Sequence, residues 1–212
     1  DIDGDLVNVG RNLNFMQARS GDINSAINVG VNAGTILAVG SSPGGDINGP
    51  IDVHGRLNTL LAINGNLNAD VDVGGSMNNV YVGRSMTGDL SVSGTLGRIR
   101  VDDNVTGSSI SVGNDLYNLS IGDSLQESDV DVGDDLYNTF IRNDFDNSSL
   151  SANPLGSVFV GGRIVEDGTD GDSDFISSRE PFWLGRPVAW NRIDEDWDGD
   201  DINGVELRIG VV

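Results

Sequence analysis

Residues 194–206, DEDWDGDDINGVE, hold the one spacing in this 212-residue chain that fits ligand chemistry. Asp194, Asp196, Asp198 and Asp200 fall on alternate positions around Gly199, and Glu206 follows. A hard cation such as Ca2+ takes about six to eight oxygen ligands, and alternate carboxylates around a glycine turn place several of them on one concave side. These five residues are therefore the candidate metal ligands and Ca2+ the expected cofactor. The competing reading is an acidic loop that holds no ion.

Other chemistry is scarce. The chain has no Cys and no Lys, so disulfides, thiolate metal sites, Schiff-base lysines and Lys–Asn cross-links are all excluded. Its one histidine, His54, sits in Val53-His54-Gly55 and reads as a corner residue. Acidic pairs such as Asp134-Asp135 lie in repeated turns, where solvation accounts for them. No nucleophile–base constellation can be named, so the expectation is a protein that is not an enzyme. A formal net charge of −21 repels nucleic acid and anionic membrane surfaces, and no apolar run approaches the ~20 residues that span a bilayer.

What must position such residues is a repeat. The pattern apolar-x-apolar-x-x-x-apolar begins at Val7, Ile27, Ile51, Val71, Leu90, Ile110, Val130 and Leu150, in steps of 20, 24, 20, 19, 20, 20 and 20. A second copy lies between these, as in Leu61-Ala62-Ile63, Val80-Tyr81-Val82, Ile99-Arg100-Val101, Leu119-Ser120-Ile121 and Val158-Phe159-Val160. Alternation of β-branched residues marks short strands, so each unit carries two, A and B. The expected links are Asn78-Asn79, Gly97-Arg98 or Tyr117-Asn118 from A to B, and small polar runs such as Thr87-Gly88-Asp89 from B to the next A.

Hairpins would give no reason for a fixed twenty-residue period, whereas stacking of equivalent strands does. The sequence therefore predicts an all-β parallel β-helix, a right-handed β-solenoid by the general crossover rule, with about eight coils and a body roughly 40 Å long. Glycine after the second apolar residue fits a corner that needs positive φ or lacks room for a Cβ. The domains expected are a solenoid body over 1–165 and, over 166–212, an acidic loop with a cap that holds Trp183, Trp190 and Trp197.

On the solvent side, strand A reads Asn8, Asn28, Asp52, Asp72, Ser91, Ser111, Asp131 and Ser151, while strand B reads Gln17, Ala38, Ala62, Tyr81, Arg100, Ser120, Phe140 and Phe159. Tyr81, Phe140, Phe159 and the three tryptophans are the interface candidates, whether for docking the aromatic tail or for another molecule.

The Val-x-Val-Gly-x-x-Leu repeats resemble the long β-strand repeat proteins of bacterial cell surfaces, of planctomycete type. That resemblance implies an extracellular or cell-surface structural protein, self-associating head-to-tail or laterally, as a filament, surface layer or adhesin stalk. The stretch 194–206 resembles the D-x-D-x-D-G loops of EF-hands, dockerins and thrombospondin type 3 repeats. This likeness implies Asp194, Asp196 and Asp198 in the first three ligand places, Gly199 at the turn and Glu206 closing the shell, one place later than an EF-hand has it. The alternative function is a β-helix that binds or cleaves carbohydrate, with a surface glycan as partner.

Overall fold

The computed structural model describes residues 1–41 and 44–165, together with the strands Phe175–Ser178, Trp183–Gly185 and Arg208–Gly210. It is a β-solenoid in which every strand pairing is parallel and joins equivalent positions of successive coils. The A strands form one nine-stranded sheet that begins Leu6–Val9, Ala26–Val29, Ile51–Val53, Val71–Val73. The B strands form a ten-stranded sheet that begins Leu13–Ala18, Ala33–Val39, Leu57–Ile63, Met77–Val82. The four extra residues of the single 24-residue step fall between Val39 and Asp46, because Val39 pairs with Ile63, 24 residues on, while Ile47 bridges Leu67, 20 residues on. Both sheets continue past residue 165, as Phe175–Ser178 pairs with Ser149–Ala152 and Trp183–Gly185 with the strand Leu155–Val160.

Each coil has a third side that the expected two-strand unit lacks. Val105–Thr106, Leu125–Gln126, Phe145–Asp146 and Ile164–Val165 form a four-stranded sheet, and single bridges extend it back through Met86, Leu67, Ile47 and Ile23 to Ile2. One apolar side chain per coil points inward here, and Ile23, Ile47, Leu67, Met86, Val105, Leu125 and Phe145 are all fully buried. The stretch from B to the next A is therefore not a polar link but a third wall of the core. Likewise Asn78-Asn79, Gly97-Arg98 and Tyr117-Asn118 do not join A to B; they lie inside B strands, which start at Met77, Leu96 and Leu116.

Of the two reasons offered for the recurrent glycine, close approach is the operative one. A Cβ on Gly113 would lie 2.2 Å from the carbonyl oxygen of Ser93, and one on Gly133 2.2 Å from that of Gly113. Positive φ is used elsewhere, at the equivalent positions Gly107, Glu127 and Asn147 that leave the third wall.

Side chains also clamp the coils together. Just before the third wall, a side-chain oxygen accepts the backbone N–H one coil further on: Asp1 from Asp22, Asp22 from Asp46, Asp46 from Asn66, and Asn66 from Ser85, at 2.6–3.1 Å. The series resumes with Asn104 accepting from Ser124, Ser124 from Asp144 and Asp144 from Arg163. A buried backbone donor without a partner is costly, so these small polar residues satisfy a corner that the sheets cannot.

Among the described residues two buried side-chain oxygens lack a hydrogen-bond partner, Thr139 Oγ1 and Asn147 Oδ1. Thr139 is buried in the column Leu119–Thr139–Val158, and its hydroxyl has no partner. Thr139→Val, which matches Val158 one coil on, is expected to stabilise the protein by about 1 kcal/mol or more, seen as a higher denaturant midpoint with an unchanged slope.

Candidate functional site

The outer face of the B sheet differs in kind from the rest of the surface. No Asp or Glu occurs in its strands from Leu13–Ala18 through Leu155–Val160, although the chain holds 33 acidic residues. The A strands carry Asp52, Asp72, Asp129 and Asp131. Asp52 and Asp72 are directly paired on that side, as the sequence pattern anticipated.

Register builds two aromatic ladders on the B face. Tyr117 pairs column-wise with Tyr137, their rings stacked with centroids 4.9 Å apart, and Phe140 stacks on Phe159 at 5.0 Å with planes 2° apart. Tyr137 and Phe140 are three residues apart, about 10 Å along the backbone of one strand, and both are exposed because the alternation breaks at the consecutive exposed positions Tyr137 and Asn138. Between them runs a polar column, Asn118, Asn138 and Ser157, in which Ser157 Oγ donates to Asn138 Oδ1 at 3.0 Å. A recess of about 400 Å³ opens here, lined by Arg98, Asn118, Asn138, Ser157, Phe140 and Phe159. Arg98 is exposed and makes no ion pair among the described residues.

One coil nearer the N-terminus, Tyr81 donates its hydroxyl to Asp102 at 2.7 Å. Arg100 Nε donates to the same carboxylate at 2.7 Å, with its guanidinium 5.8 Å from the Tyr81 ring centroid. The hydrogen bond to Asp102 is the main reason that the Tyr81 phenol and the Arg100 guanidinium both hold their protons more tightly than usual. This cluster is a closed hydrogen-bond set that fixes the edge of the face.

Tyr137 behaves similarly at the other edge. Its hydroxyl donates to Asp135 at 2.7 Å, and that bond, with the charges of Asp135 and Asp115, pushes its pKa up to about 12. Since the folded value lies above the ordinary 10.0, the proton's contribution to folding is complete below about pH 10 and lost as pH rises through about 12. Asp135→Asn is expected to bring the Tyr137 transition back toward 10, read by spectrophotometric titration of tyrosinate.

Three of the sequence-derived interface residues, Tyr81, Phe140 and Phe159, are thus on one face. The outward column reads Leu37 and Leu61 where Ala38 and Ala62 were expected; the alanines point inward and are fully buried. Tyr117 and Tyr137 were missed because they fell in a supposed turn. Trp183 begins a strand paired to Ser157, while Trp190, Trp197 and the metal candidates Asp194, Asp196, Asp198, Asp200 and Glu206 lie outside the described residues. Among the described residues no group of three or more His, Asp or Glu side chains is placed to hold a metal ion. His54 stands at a corner between A and B, 3.7 Å from Asp52. The chain matches no protein-family model, no curated protein and no solved structure, so the reading of this face rests on its own geometry.

Proposed function

We propose that the chain is an extracellular structural protein, a rigid rod that contributes to a filament, surface layer or adhesin stalk. The observation that carries this reading is the in-register pairing of equivalent strands from coil to coil, reinforced by side-chain clamps at the corner before the third wall in most coils. A rod of this kind resists bending because each coil is tied to the next by main-chain bonds along its perimeter. In the same proposal copies associate head-to-tail or laterally, and Ca2+ orders the acidic stretch 194–206.

Electron microscopy of the full chain over a concentration series, with and without Ca2+, tests it. Regular fibres or sheets that grow with concentration support the proposal. Dispersed single particles at every concentration, in both conditions, would count against it.

A further inference from the structure

We infer that the B-sheet face between Gly97 and Phe159 is a binding surface for a neutral polysaccharide chain. Charge is the first reason. In a protein of net charge −21, this face is free of carboxylates on its strands and presents Arg98 and Arg100 instead. A polyanion meets long-range repulsion from the rest of the molecule, and a cation finds at the border of the face only carboxylates that already accept hydrogen bonds, Asp102 from Tyr81 and Arg100 and Asp135 from Tyr137. A neutral ligand experiences neither effect.

The second reason is the arrangement of rings and polar groups. Saccharide rings offer apolar C–H faces and a rim of hydroxyls, so a site for them pairs aromatic surface with amide, hydroxyl and guanidinium groups. The two ladders supply the aromatic surface, with Tyr117, Tyr137 and Phe140 each 43–44% exposed. Asn118, Asn138, Ser157 and Arg98 supply donors and acceptors in the recess beside the phenylalanine ladder.

A third reason lies in what flanks each ladder. The tyrosine column continues as Gly97 on one side and Gly156 on the other, so the outer ring faces of the pair stand beside residues with no side chain. Phe140 is similarly preceded by Ser120. Each ladder therefore ends in a notch, one coil spacing or about 4.8 Å deep along the rod. A sugar ring entering the notch stacks on Tyr117 or Phe140 and reaches Arg98 or Asn118 with its hydroxyls.

Native affinity electrophoresis tests this, with a mixed-linkage β-glucan, glucomannan or hydroxyethylcellulose cast into the gel. At least one should retard the parent protein, with little change on adding salt, since no ion pair is formed. Phe140→Ser and Tyr117→Asn install side chains that Ser120 and Asn78 already carry at the same registers, so the coils accept them. Each should weaken binding roughly three- to tenfold. Ser157→Tyr fills the recess without removing a ring and should weaken it as well.

Parent protein that migrates unretarded in all three polysaccharides overturns the inference. So does retardation that all three variants share with the parent, which would place the sugar elsewhere. Sedimentation velocity on the same samples closes the remaining route: a parent dimer that Phe140→Ser and Tyr117→Asn convert to monomer would make a second copy the occupant, and the inference would fall.

Discussion

Phe145→Ala is expected to cost about 3–5 kcal/mol, the largest loss of any single truncation among the described residues. Among the described residues Phe145 is the largest of the fully buried side chains, and it stands in the third wall between Leu125 and Ile164. Its coil carries the smaller Thr139 where the preceding coil has Leu119, and the larger Phe145 where that coil has Leu125. Truncation removes the ring from the core and leaves a cavity that parallel strands pinned in register cannot close. In a stack with nearest-neighbour coupling the damage is local. Hydrogen exchange should show lost protection over the coils from Leu116 to Val160, while the coils from Ile51 to Val92 keep theirs. Uniform loss across the rod would mean that the solenoid unfolds as one cooperative unit.

That third wall is also where the sequence was least legible. The A and B walls announce themselves because each coil repeats two or three buried positions at alternate places, as in Val71 and Val73 or Val80 and Val82. The third wall spends one buried residue per coil, and its strands are two residues long, too short for alternation to appear. Ile23, Ile47, Leu67 and Met86 therefore pass as lone apolar residues in polar loops. The misplacement of Ala38 and Ala62 has a different cause. Leu60-Leu61-Ala62-Ile63 is apolar in both phases of a two-residue period, so only pairing with Val80 and Val82 decides that Leu60 and Ala62 face inward.

The candidate face shows the same division. Phe140 and Phe159 could be found from the repeat, since their register follows from Tyr81 and Arg100 in earlier coils. The tyrosine ladder could not be placed without knowing that B strands begin two residues before Asn118, at Leu116. Its signal was nonetheless present, because Leu-Tyr-Asn recurs at 116–118 and 136–138. Absence of acid from eight successive B strands was equally visible, but it acquires meaning only when those strands form one surface.

The corner clamps carry the second large effect. Asp22 Oδ1 accepts the backbone N–H of both Gly45 and Asp46, at 2.9 and 2.8 Å, and so holds the end of the four-residue insertion against the preceding coil. Asp22→Ala strands two donors at a part-buried corner, and unsatisfied groups of this type cost about 1–3 kcal/mol each. Water reaches the corner in part, which places the expected loss at about 2–3 kcal/mol by denaturant unfolding. Asp22→Asn keeps the accepting oxygen, in the form that Asn66 and Asn104 already use at the equivalent corner. Its loss should stay below about 1 kcal/mol, because a neutral acceptor replaces a charged one with the same geometry. The contrast between the two substitutions separates hydrogen bonding from charge. Equal losses would mean that the carboxylate acts through its charge, and the clamp would then have to weaken with added salt, whereas a hydrogen-bonded clamp holds its strength at high ionic strength.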